Sequence, residues 1–449
     1  MKDISNRTGL VVAMAPTTSS EIRGTTEGRL SPEFIINVGK TIGMQYKTVL
    51  ISRNLRRSST MAFYAVCAGI TAAGGDVRDA GRMAAPAMPF SSKGSECCIM
   101  IGSPDRTDIN SMFLSNIDGS LFTESQMKAV SSGLETEKEL PPYSRVGRIR
   151  KVTGGLENYR SRVTEYVGNV DCHVVMDCAS DCTCFVAPHL MADLGADLTS
   201  INCHPDGRSP GRAPAPEEQN LKNLSRSVKS SPGSIGIAFN SNGTRLGVFD
   251  ENGEYLDGGT ALAVLMANME PKKVALPVDA SLSVTDALQS SEITWTRRGH
   301  RSLGEAVKAK GLDMGGNMNG YFVFPNVSYS LDGITAGALM AKIAGETNLS
   351  QIVSGITPSF KSDFSIPYHG DKEEISRSIH DQVFALEYDN LSEAEGWRVD
   401  MESGWFLITL SEKDETVYIT AEGRDKMYGA SLMGIATDIV KSSNKKLSA

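Results

Sequence analysis

The sequence predicts an α/β protein made of three related mixed α/β domains with βαβ units, followed by a smaller C-terminal α+β domain. A chain of 449 residues is too long for a single hydrophobic core. A short β-branched strand, a glycine or polar turn and a helix follow one another three times, at 47–81, 171–202 and 272–289. The last part of the chain instead carries two alternating strands, at 404–411 and 415–422, which indicates α+β structure.

The first repeat of this pattern is the clearest. Residues 49–52 form an apolar run typical of a buried strand, and Ser58 or Ser59 can cap the helix that follows. The helix ends at "GGD" (74–76), since glycine is favoured just beyond a helix C-terminus. The second repeat stops its helix in the same way at "LGAD" (194–197).

Breaks in composition predict four domains, at residues 1–150, 151–256, 257–362 and 363–449. The first boundary lies in a charged, proline-containing stretch at 135–154. Such stretches are typical of linkers, because few contacts cross them.

Charge and hydropathy exclude two classes of partner. The net charge is -8 and no window approaches the roughly 18–20 consecutive apolar residues that span a bilayer. We therefore expect neither nucleic acid nor a membrane as a partner. The short apolar run within residues 1–16 is interpreted as a β-strand rather than a signal peptide, and the default expectation is a cytoplasmic protein.

Three of the eight cysteines lie together in "CASDCTC", as Cys178, Cys182 and Cys184. Thiolates bind zinc and iron–sulfur clusters, so this group raises the hypothesis of a metal site. Its spacing matches neither paired zinc-binding cysteines nor a common cluster motif, which favours free thiols at a strand–helix turn.

Five ordered blocks of the chain resemble the α-D-phosphohexomutase superfamily, in its phosphoglucosamine mutase and phosphomannomutase branch. The blocks are "SSEIRG", "VLISRNLRRSSTMAF", "NCHPDGRSPGRAPAP", "GIAFNSNGTRLGVFDENGEYLDG" and "GGNMNGYFVFPNVSYSLDG". The resemblance implies a four-domain phosphohexomutase-like architecture and a lineage of intramolecular phosphotransferases. Such enzymes move a phosphate between C1 and C6 of a hexose phosphate through a phosphoserine. They need Mg²⁺, sugar contacts and a phosphate anchor.

The loops that match the family's serine and metal loops have lost most of their chemical groups. Ser103 falls at the serine, but the His and Asn that follow it in the family are Pro104 and Asp105 here. We expect Asp105 to repel an incoming phosphate. The family's D-G-D-x-D-R metal loop has three carboxylates. In this chain the same positions hold the uncharged residues Asn240, Asn242 and Thr244. Mg²⁺ sites normally include one or two carboxylates, so no metal is expected.

The remaining two loops differ from the family in the same way. The sugar loop G-E-x-S-G-H becomes Gly316 to Tyr321, with Asn317 and Asn319 as the polar groups. These amides can still hydrogen-bond a polyol. The phosphate loop R-P-S-G-T-E-P aligns with a loop that begins at Thr409 and includes Ser411 and Lys413, without the Arg or the Gly.

Positive charge is retained around the predicted cleft. The resemblance suggests as ligand-contacting residues Arg23, Arg53, Arg245, Arg297 and His300, together with the two amides of the sugar loop. Bare arginines on loops are more often solvated than bound to a ligand, so both interpretations stay open.

The sequence therefore favours a phosphohexomutase-related protein that is catalytically degenerate and has a binding or regulatory role. A sugar phosphate or another anionic small molecule is its expected ligand, and a homodimer, or a heterodimer with an active paralogue, its expected assembly. No cofactor is expected. The alternative is an active mutase that transfers a phosphoryl group through Ser103 and uses Mg²⁺ in a divergent site, so whether the protein is an enzyme remains open.

Overall fold

Four β-sheets follow one another along the chain in this computed structural model, which describes residues 20–411 and 414–447. The strand predicted within residues 1–16 lies outside the described residues. The first three sheets are mixed or largely parallel and the fourth is antiparallel, and we number the domains by these sheets. The predicted fold class is confirmed.

The first domain has a six-stranded sheet in the order β1-β5-β4-β2-β3-β6. Its strands are β1 (Glu21–Gly24), β2 (Thr48–Arg53), β3 (Asp76–Arg82), β4 (Cys97–Ile101), β5 (Asn110–Ser115) and β6 (Ile149–Lys151). Its helices are α1 (Pro32–Gln45), α2 (Arg57–Ala72) and α3 (Glu124–Glu135). The predicted capping of α2 by Ser58 or Ser59 is wrong, because both serines lie within its first turn and the N-cap residue is Arg56. Ser59 instead donates a hydrogen bond to Asn110 (3.3 Å).

The second domain has a five-stranded sheet in the order β11-β10-β9-β7-β8. Its strands are β7 (His173–Asp177), β8 (Asp197–Ile201), β9 (Ser234–Phe239), β10 (Leu246–Phe249) and β11 (Tyr255–Leu256). Its helices are α4 (Gly155–Val167), α5 (Ala187–Leu194) and α6 (Lys222–Lys229). All six residues of β9 are buried, as expected for a strand covered on both faces.

The third domain has a five-stranded sheet in the order β13-β12-β14-β15-β16. Its strands are β12 (Lys273–Pro277), β13 (Glu292–Thr296), β14 (Met314–Gly316), β15 (Phe322–Phe324) and β16 (Ser328–Leu331). Its helices are α7 (Gly258–Met269), α8 (Leu282–Ala287), α9 (His300–Lys310), α10 (Gly333–Glu346) and α11 (Leu349–Ser354). Asp257 and Asp332 cap α7 and α10 by accepting hydrogen bonds from backbone N–H groups.

The fourth domain has an antiparallel sheet in the order β17-β21-β20-β19-β18. Its strands are β17 (Phe360–Pro367), β18 (Asn390–Ser392), β19 (Trp397–Met401), β20 (Gly404–Leu410) and β21 (Thr416–Gly423). Its helices are α12 (Lys372–Phe384) and α13 (Lys426–Leu447). The boundary proposed between residues 362 and 363 falls inside β17. Every residue of β17 pairs with β21, so the strand belongs whole to the fourth domain.

One continuous apolar core joins the first three domains, and the fourth has a core of its own. The shared core includes Leu50 of the first domain, Met176 of the second and Leu276 of the third. The fourth domain packs α12 and α13 on its sheet around residues such as Ile379 and Phe406. No helix within the described ranges is long and apolar enough to cross a bilayer.

Candidate functional site

Ser103 lies in the turn between β4 and β5, at the edge of the first sheet that faces the second domain. The residue before it, Gly102, has φ +135°, and a side chain there would meet Asn54 at 2.3 Å. Only glycine therefore fits the approach to the serine. Ser103 itself is 2% exposed, so the candidate nucleophile is enclosed.

The loop of the second domain that matches the metal loop covers the serine turn. Asn242 donates from Nδ2 to the carbonyl of Gly102 (3.0 Å), and the N–H of Ser241 donates to the carbonyl of Pro104 (3.1 Å). The N–H of Ala85 in the first domain donates to the carbonyl of Asn242 (2.9 Å). These bonds hold the two loops against each other, and the loop from Asn240 to Asn242 is buried.

Asp105 is the point where three domains meet. Its carboxylate accepts hydrogen bonds from Asn240 Nδ2 of the second domain (3.1 Å) and from the Tyr321 hydroxyl of the third (3.1 Å). Arg245 Nη1 lies 3.5 Å from the same carboxylate. From the sequence, Asp105 was expected only to repel phosphate. In the structure, its carboxylate also accepts hydrogen bonds from side chains of two other domains.

The asparagine loop offers Mg²⁺ only uncharged oxygens: Ser241 Oγ and Asn242 Oδ1 are buried without a hydrogen-bond partner among the described residues, but the loop has none of the carboxylates that Mg²⁺ sites normally include. Asn240 Oδ1 accepts hydrogen bonds from the N–H groups of Thr244 (2.9 Å) and Arg245 (3.3 Å), so its oxygen is directed into its own loop. The adjacent carboxylate, Asp105, accepts hydrogen bonds from an N–H and an O–H donor, whereas a cation would need oxygen ligands. Among the residues that the structure describes, no group of three His, Cys, Asp or Glu side chains is arranged to hold a metal, and this includes Cys178, Cys182 and Cys184.

The two amides of the predicted sugar loop have different surroundings. Asn317 is buried, and its Oδ1 accepts hydrogen bonds from the N–H groups of Asn319 (3.0 Å) and Tyr321 (3.2 Å). It therefore closes its own turn. Asn319 is exposed, and its carbonyl accepts a hydrogen bond from Arg245 Nε (2.9 Å).

His300 and Tyr321 stand together beside Asp105, with ring centroids 5.2 Å apart. Burial lowers the pKa of His300, and the carboxylate of Asp105 partly opposes this effect. Burial, followed by the charge of Asp105, raises the pKa of Tyr321. Both rings line a cavity of about 50 Å³ that is otherwise mostly apolar. The sequence did not indicate Tyr321, because a tyrosine after a glycine turn is an ordinary strand residue.

Of the arginines predicted to contact a ligand, some pair with other residues of the protein and others are exposed to solvent. Arg53 is engaged within the first domain: it pairs with Asp79 (2.8 Å) and lies 3.7 Å over the ring of Phe63. Its role as a ligand contact stays a prediction. Arg23 is exposed on β1, opposite Ser111.

Arg56, like Arg53, lies in the basic segment at the end of β2 that the family resemblance places at the cleft. It is 6% exposed and donates from Nη1 to the carbonyl of Ile109 (3.3 Å) and to that of Arg106. Its Nε and Nη2 are buried and have no hydrogen-bond partner among the described residues. A cation with two unused donors thus lies under the serine turn. Burial lowers its pKa, while Asp181, Asp105 and Asp108 act in the opposite sense.

A groove of about 690 Å³ separates the third domain from the fourth. It is lined by basic residues of both domains, which are Arg297, Arg298, Arg301 and Lys372. Arg298 pairs with Glu395 (2.7 Å) and lies 3.4 Å from the Thr409 hydroxyl. Thr409, expected on the phosphate loop, lies on β20, while Ser411 follows that strand and Lys413 lies outside the described residues.

Comparison with known proteins shows what this chain is similar to. Three family models match it: phosphoglucomutase/phosphomannomutase alpha/beta/alpha domain I at 17–141, domain II at 156–253 and domain III at 257–360. A protein of Methanosarcina barkeri named "Probable phosphoglucosamine mutase" is 31% identical, over 91% of this chain and 95% of its own. The "Phosphoglucosamine mutase" of Methanocaldococcus jannaschii is 28% identical, over 92% and 96% of the two chains.

Solved structures share the same fold. A phosphoglucomutase/phosphomannomutase family protein from Burkholderia thailandensis superposes with a TM-score of 0.81 at 20% identity, over 95% of this chain and 97% of its own. An Aspergillus fumigatus N-acetylphosphoglucosamine mutase, solved in complex with GlcNAc-6P and magnesium, superposes with a TM-score of 0.52 at 15% identity, over 88% and 82% of the two chains. This chain belongs to the phosphoglucomutase/phosphomannomutase family, within the α-D-phosphohexomutase superfamily.

Proposed function

We propose that this protein is a family member that does not transfer phosphate and that has a binding or regulatory role. The observation that carries the proposal is the engagement of Asp105 by Asn240, Tyr321 and Arg245 beside the enclosed Ser103. A carboxylate and its donors occupy the surroundings in which a phosphoserine and a cation would have to meet. A cytoplasmic location and a dimer, with itself or with an active paralogue, belong to the same proposal.

The energetic argument concerns the transition state of phosphoryl transfer. Negative charge on the moving group is stabilised by metal ions and cationic clamps, and each loss of about 1.4 kcal/mol lowers the rate tenfold. Here the metal-loop positions hold Asn240, Asn242 and Thr244, and the nearby Arg245 is shared with Asp105 and Glu217. A phosphate placed on Ser103 would also approach the Asp105 carboxylate.

The groove between the third and fourth domains supports the choice of ligand, a hexose phosphate or another anionic small molecule. Three arginines and Lys372 give it positive charge, offset in part by Glu393 and Glu395. The Thr409 and Ser411 side chains, which line the same groove, offer hydroxyl groups to a sugar or a phosphate. Guanidinium groups suit phosphate because their N–H donors match its oxygens in pairs.

The test of activity combines intact mass spectrometry with a mutase assay. Purified protein is assayed with the phosphates of glucosamine, glucose and mannose, in the presence of Mg²⁺ and a hexose bisphosphate. We expect no phosphate on the protein, no turnover, and a thermal midpoint that neither Mg²⁺ nor a chelator shifts. Mg²⁺-dependent turnover would overturn the proposal.

The test of binding is calorimetry with hexose 6-phosphates and, as a control, the unphosphorylated sugars. Arg298→Ala is expected to weaken phosphate-dependent binding at least tenfold, because the variant removes a charged donor from the groove. Arg226→Ala, an exposed arginine on α6, is the matched control and should bind as wild type does. Equal affinity in all three proteins would place the ligand elsewhere.

A second candidate function, an active mutase that uses Ser103, is favoured by a different observation. The Methanosarcina relative, 31% identical over 91% of this chain, is named as a probable phosphoglucosamine mutase. Ser103 is retained, and the unused donors of Arg56 lie under its turn. A single phosphate mapped to Ser103, together with turnover that is lost in Ser103→Ala, would establish this function instead.

A further inference from the structure

Three cysteines of the second domain meet where two parallel strands end. Asp177 of β7 pairs with Ile201 of β8, and Cys178 and Cys203 follow this last pair by one and two residues. Cys184 lies in the short 3-10 helix Cys182–Phe185, with Sγ 3.7 Å from the carbonyl of Asn202 and 3.9 Å from that of Cys178. Cys203 Sγ lies 3.9 Å from the carbonyl of Met176. We call Cys178, Cys184 and Cys203 the thiol cluster.

The members of the thiol cluster differ in exposure and in acidity. The backbone around Cys178 lies near the other two thiols: the Cys184 thiol is close to the carbonyl of Cys178 itself, and the Cys203 thiol is close to the carbonyl of Met176, two residues earlier. Cys178 is fully buried and Cys184 is 9% exposed, whereas Cys203 is partly exposed at the start of a surface loop. The neighbouring thiol of Cys178 lowers the pKa of Cys203, while burial raises the pKa of Cys178. Cys203 is thus the most exposed thiol of the cluster, and it ionises more readily than Cys178.

We propose that Cys203 is a modification site for oxidants of the peroxide class, and that Cys178 converts the oxidised thiol into an intramolecular disulfide. The Cys203 thiolate attacks one peroxide oxygen, the O–O bond breaks, and hydroxide leaves, which produces a sulfenic acid. The sulfur of Cys178 then attacks the Cys203 sulfur and its proton leaves. The S–O bond breaks, and the oxygen departs as water. Two electrons pass from the two thiols to the peroxide.

The proposed disulfide lies where the second domain contacts the first. The turn that follows Cys178 seats the first domain, because Asp181 Oδ1 accepts a hydrogen bond from the N–H of Leu55 (2.9 Å) and Cys182 Sγ donates to the carbonyl of Arg53 (3.4 Å). The carbonyl of Ser180 accepts from the N–H groups of Asp206 and Gly207, both at 3.0 Å. A bond between Cys178 and Cys203 joins the two segments that make this seat.

The test is peroxide titration of the folded protein, with alkylation of the remaining thiols and peptide mass spectrometry. We expect the loss of two hydrogen atoms and a linked peptide pair that contains Cys178 and Cys203, reversed by a dithiol reductant. In Cys178→Ser, a sulfenic acid on Cys203 is expected to be trapped by a cyclic dione. Cys203→Ser should form no bond at Cys178. Cys172→Ser changes another partly exposed cysteine outside the cluster, so it is the control and should react like wild type.

Because the first measurement uses the unaltered chain, it does not depend on the folding of any variant. Oxidation that occurs first at Cys172, or a disulfide between Cys178 and Cys184, would overturn the assignment. Survival of all thiols at peroxide levels that oxidise free cysteine would overturn it as well.

Discussion

Asp105 has more partners in other domains than Ser103, the residue that the family resemblance selects as the nucleophile. Its carboxylate accepts hydrogen bonds from Asn240 and Tyr321, and Arg245 lies within ion-pair distance. Removing it would leave a partly buried tyrosine hydroxyl and an asparagine N–H without this acceptor. Its identity therefore bears on the stability of the junction as well as on the chemistry.

We expect Asp105→Ala to lower the free energy of unfolding by about 2–3 kcal/mol, since hydrogen bonds to a charged acceptor contribute about 1.5–3 kcal/mol. Urea unfolding followed by fluorescence measures this difference. Asp108→Ala is the matched control, three residues along the same loop, where Asp108 pairs with Arg106 at the surface. That pair is exposed, so the control should leave the stability close to that of wild type. Equal losses in both variants would contradict the role given to Asp105.

At the scale of single elements, some turns and helix ends require a particular residue. The turn after β4 needs Gly102, whose φ is +135° and whose added side chain would meet Asn54 at 2.3 Å. Helix α10 begins at Asp332, which accepts hydrogen bonds from the Thr335 N–H (2.8 Å), the Thr335 hydroxyl (2.7 Å) and the Tyr159 hydroxyl (2.8 Å). Burial raises the pKa of Asp332 to about 6.

Gly102→Ala is expected to destabilise the protein by about 1–3 kcal/mol, because it adds backbone strain and a contact with Asn54. Gly304→Ala, in the middle of α9 with open space around the added methyl group, should instead stabilise by about 0.5–1 kcal/mol. Thermal and urea unfolding of both variants test the contrast. A loss of stability in Gly304→Ala as large as that in Gly102→Ala would contradict the role given to the backbone geometry of Gly102.

The stability of the protein should depend on pH through Asp332. The folded state holds the proton up to about pH 6, whereas the unfolded chain releases it near its ordinary pKa of about 3.9. The unfolded state therefore binds fewer protons between these values, and the stabilising contribution is lost as the pH rises from about 4 to 6. The integrated effect is about 3 kcal/mol.

Asp332→Asn removes this titration. The free energy of unfolding of wild type, relative to that of the variant, should therefore fall by about 3 kcal/mol between pH 4 and pH 7. Urea unfolding at a series of pH values measures it. Asp257→Asn alters an exposed N-cap that accepts a hydrogen bond from a threonine N–H in the same way, and it serves as the control. A slope of the same size in that variant would contradict the assignment to Asp332.

At the scale of the whole molecule, the fourth domain is attached to the third through a buried arginine. Arg398 of β19 is 1% exposed and donates from Nη1 to the carbonyls of Val278 (2.9 Å) and Ala280 (2.8 Å). Its guanidinium lies between Trp295 and Trp405, at 4.1 and 4.2 Å from the ring centroids. Stacking and hydrogen bonding together fix the orientation of one domain on the other.

Arg398→Ala should cost about 3–5 kcal/mol, because it leaves buried carbonyl groups and Asp400 without their donor. The expected signature is earlier unfolding of the fourth domain in urea and faster proteolysis near residues 355–360. Arg424→Ala also breaks an ion pair between these two domains, with Asp286, but that pair is partly exposed and should contribute about 1 kcal/mol or less.

If Arg398→Ala does not fold, Arg398→Met keeps the packing between the tryptophans and can be measured in its place. Equal losses of stability in Arg398→Ala and Arg424→Ala would contradict the role of Arg398 in attaching the fourth domain to the third.

Much of the fold was predictable because its signals are local. The strands at β2, β9 and β10 follow from short apolar runs, and the helix stops at Gly74 and Gly195 follow from glycine at a C-terminus. The start of α2 was not predictable in this way. Its N-cap is Arg56, which no capping preference selects, and Arg56 is fixed by carbonyls of the distant serine turn.

For the candidate site, the kind of residue was predictable but its contacts were not. The absence of carboxylates at Asn240, Asn242 and Thr244 can be seen in the sequence, whereas the pairing of Arg53 with Asp79 cannot. That pair joins neighbouring parallel strands whose register depends on the whole sheet. Asn317 closing its own turn likewise depends on the backbone that surrounds it.

The sequence by itself determined the four-part organisation, the family resemblance and the uncharged residues Asn240, Asn242 and Thr244, because residue type, periodicity and turn chemistry are properties of neighbouring residues. The tertiary structure alone decided that Asp105 meets Asn240 and Tyr321, that Arg398 enters the third domain, and that Cys178 and Cys203 follow the ends of neighbouring strands. Each of these arrangements joins residues far apart in the chain. They form only when separate strands and domains pack together and bury a common apolar surface.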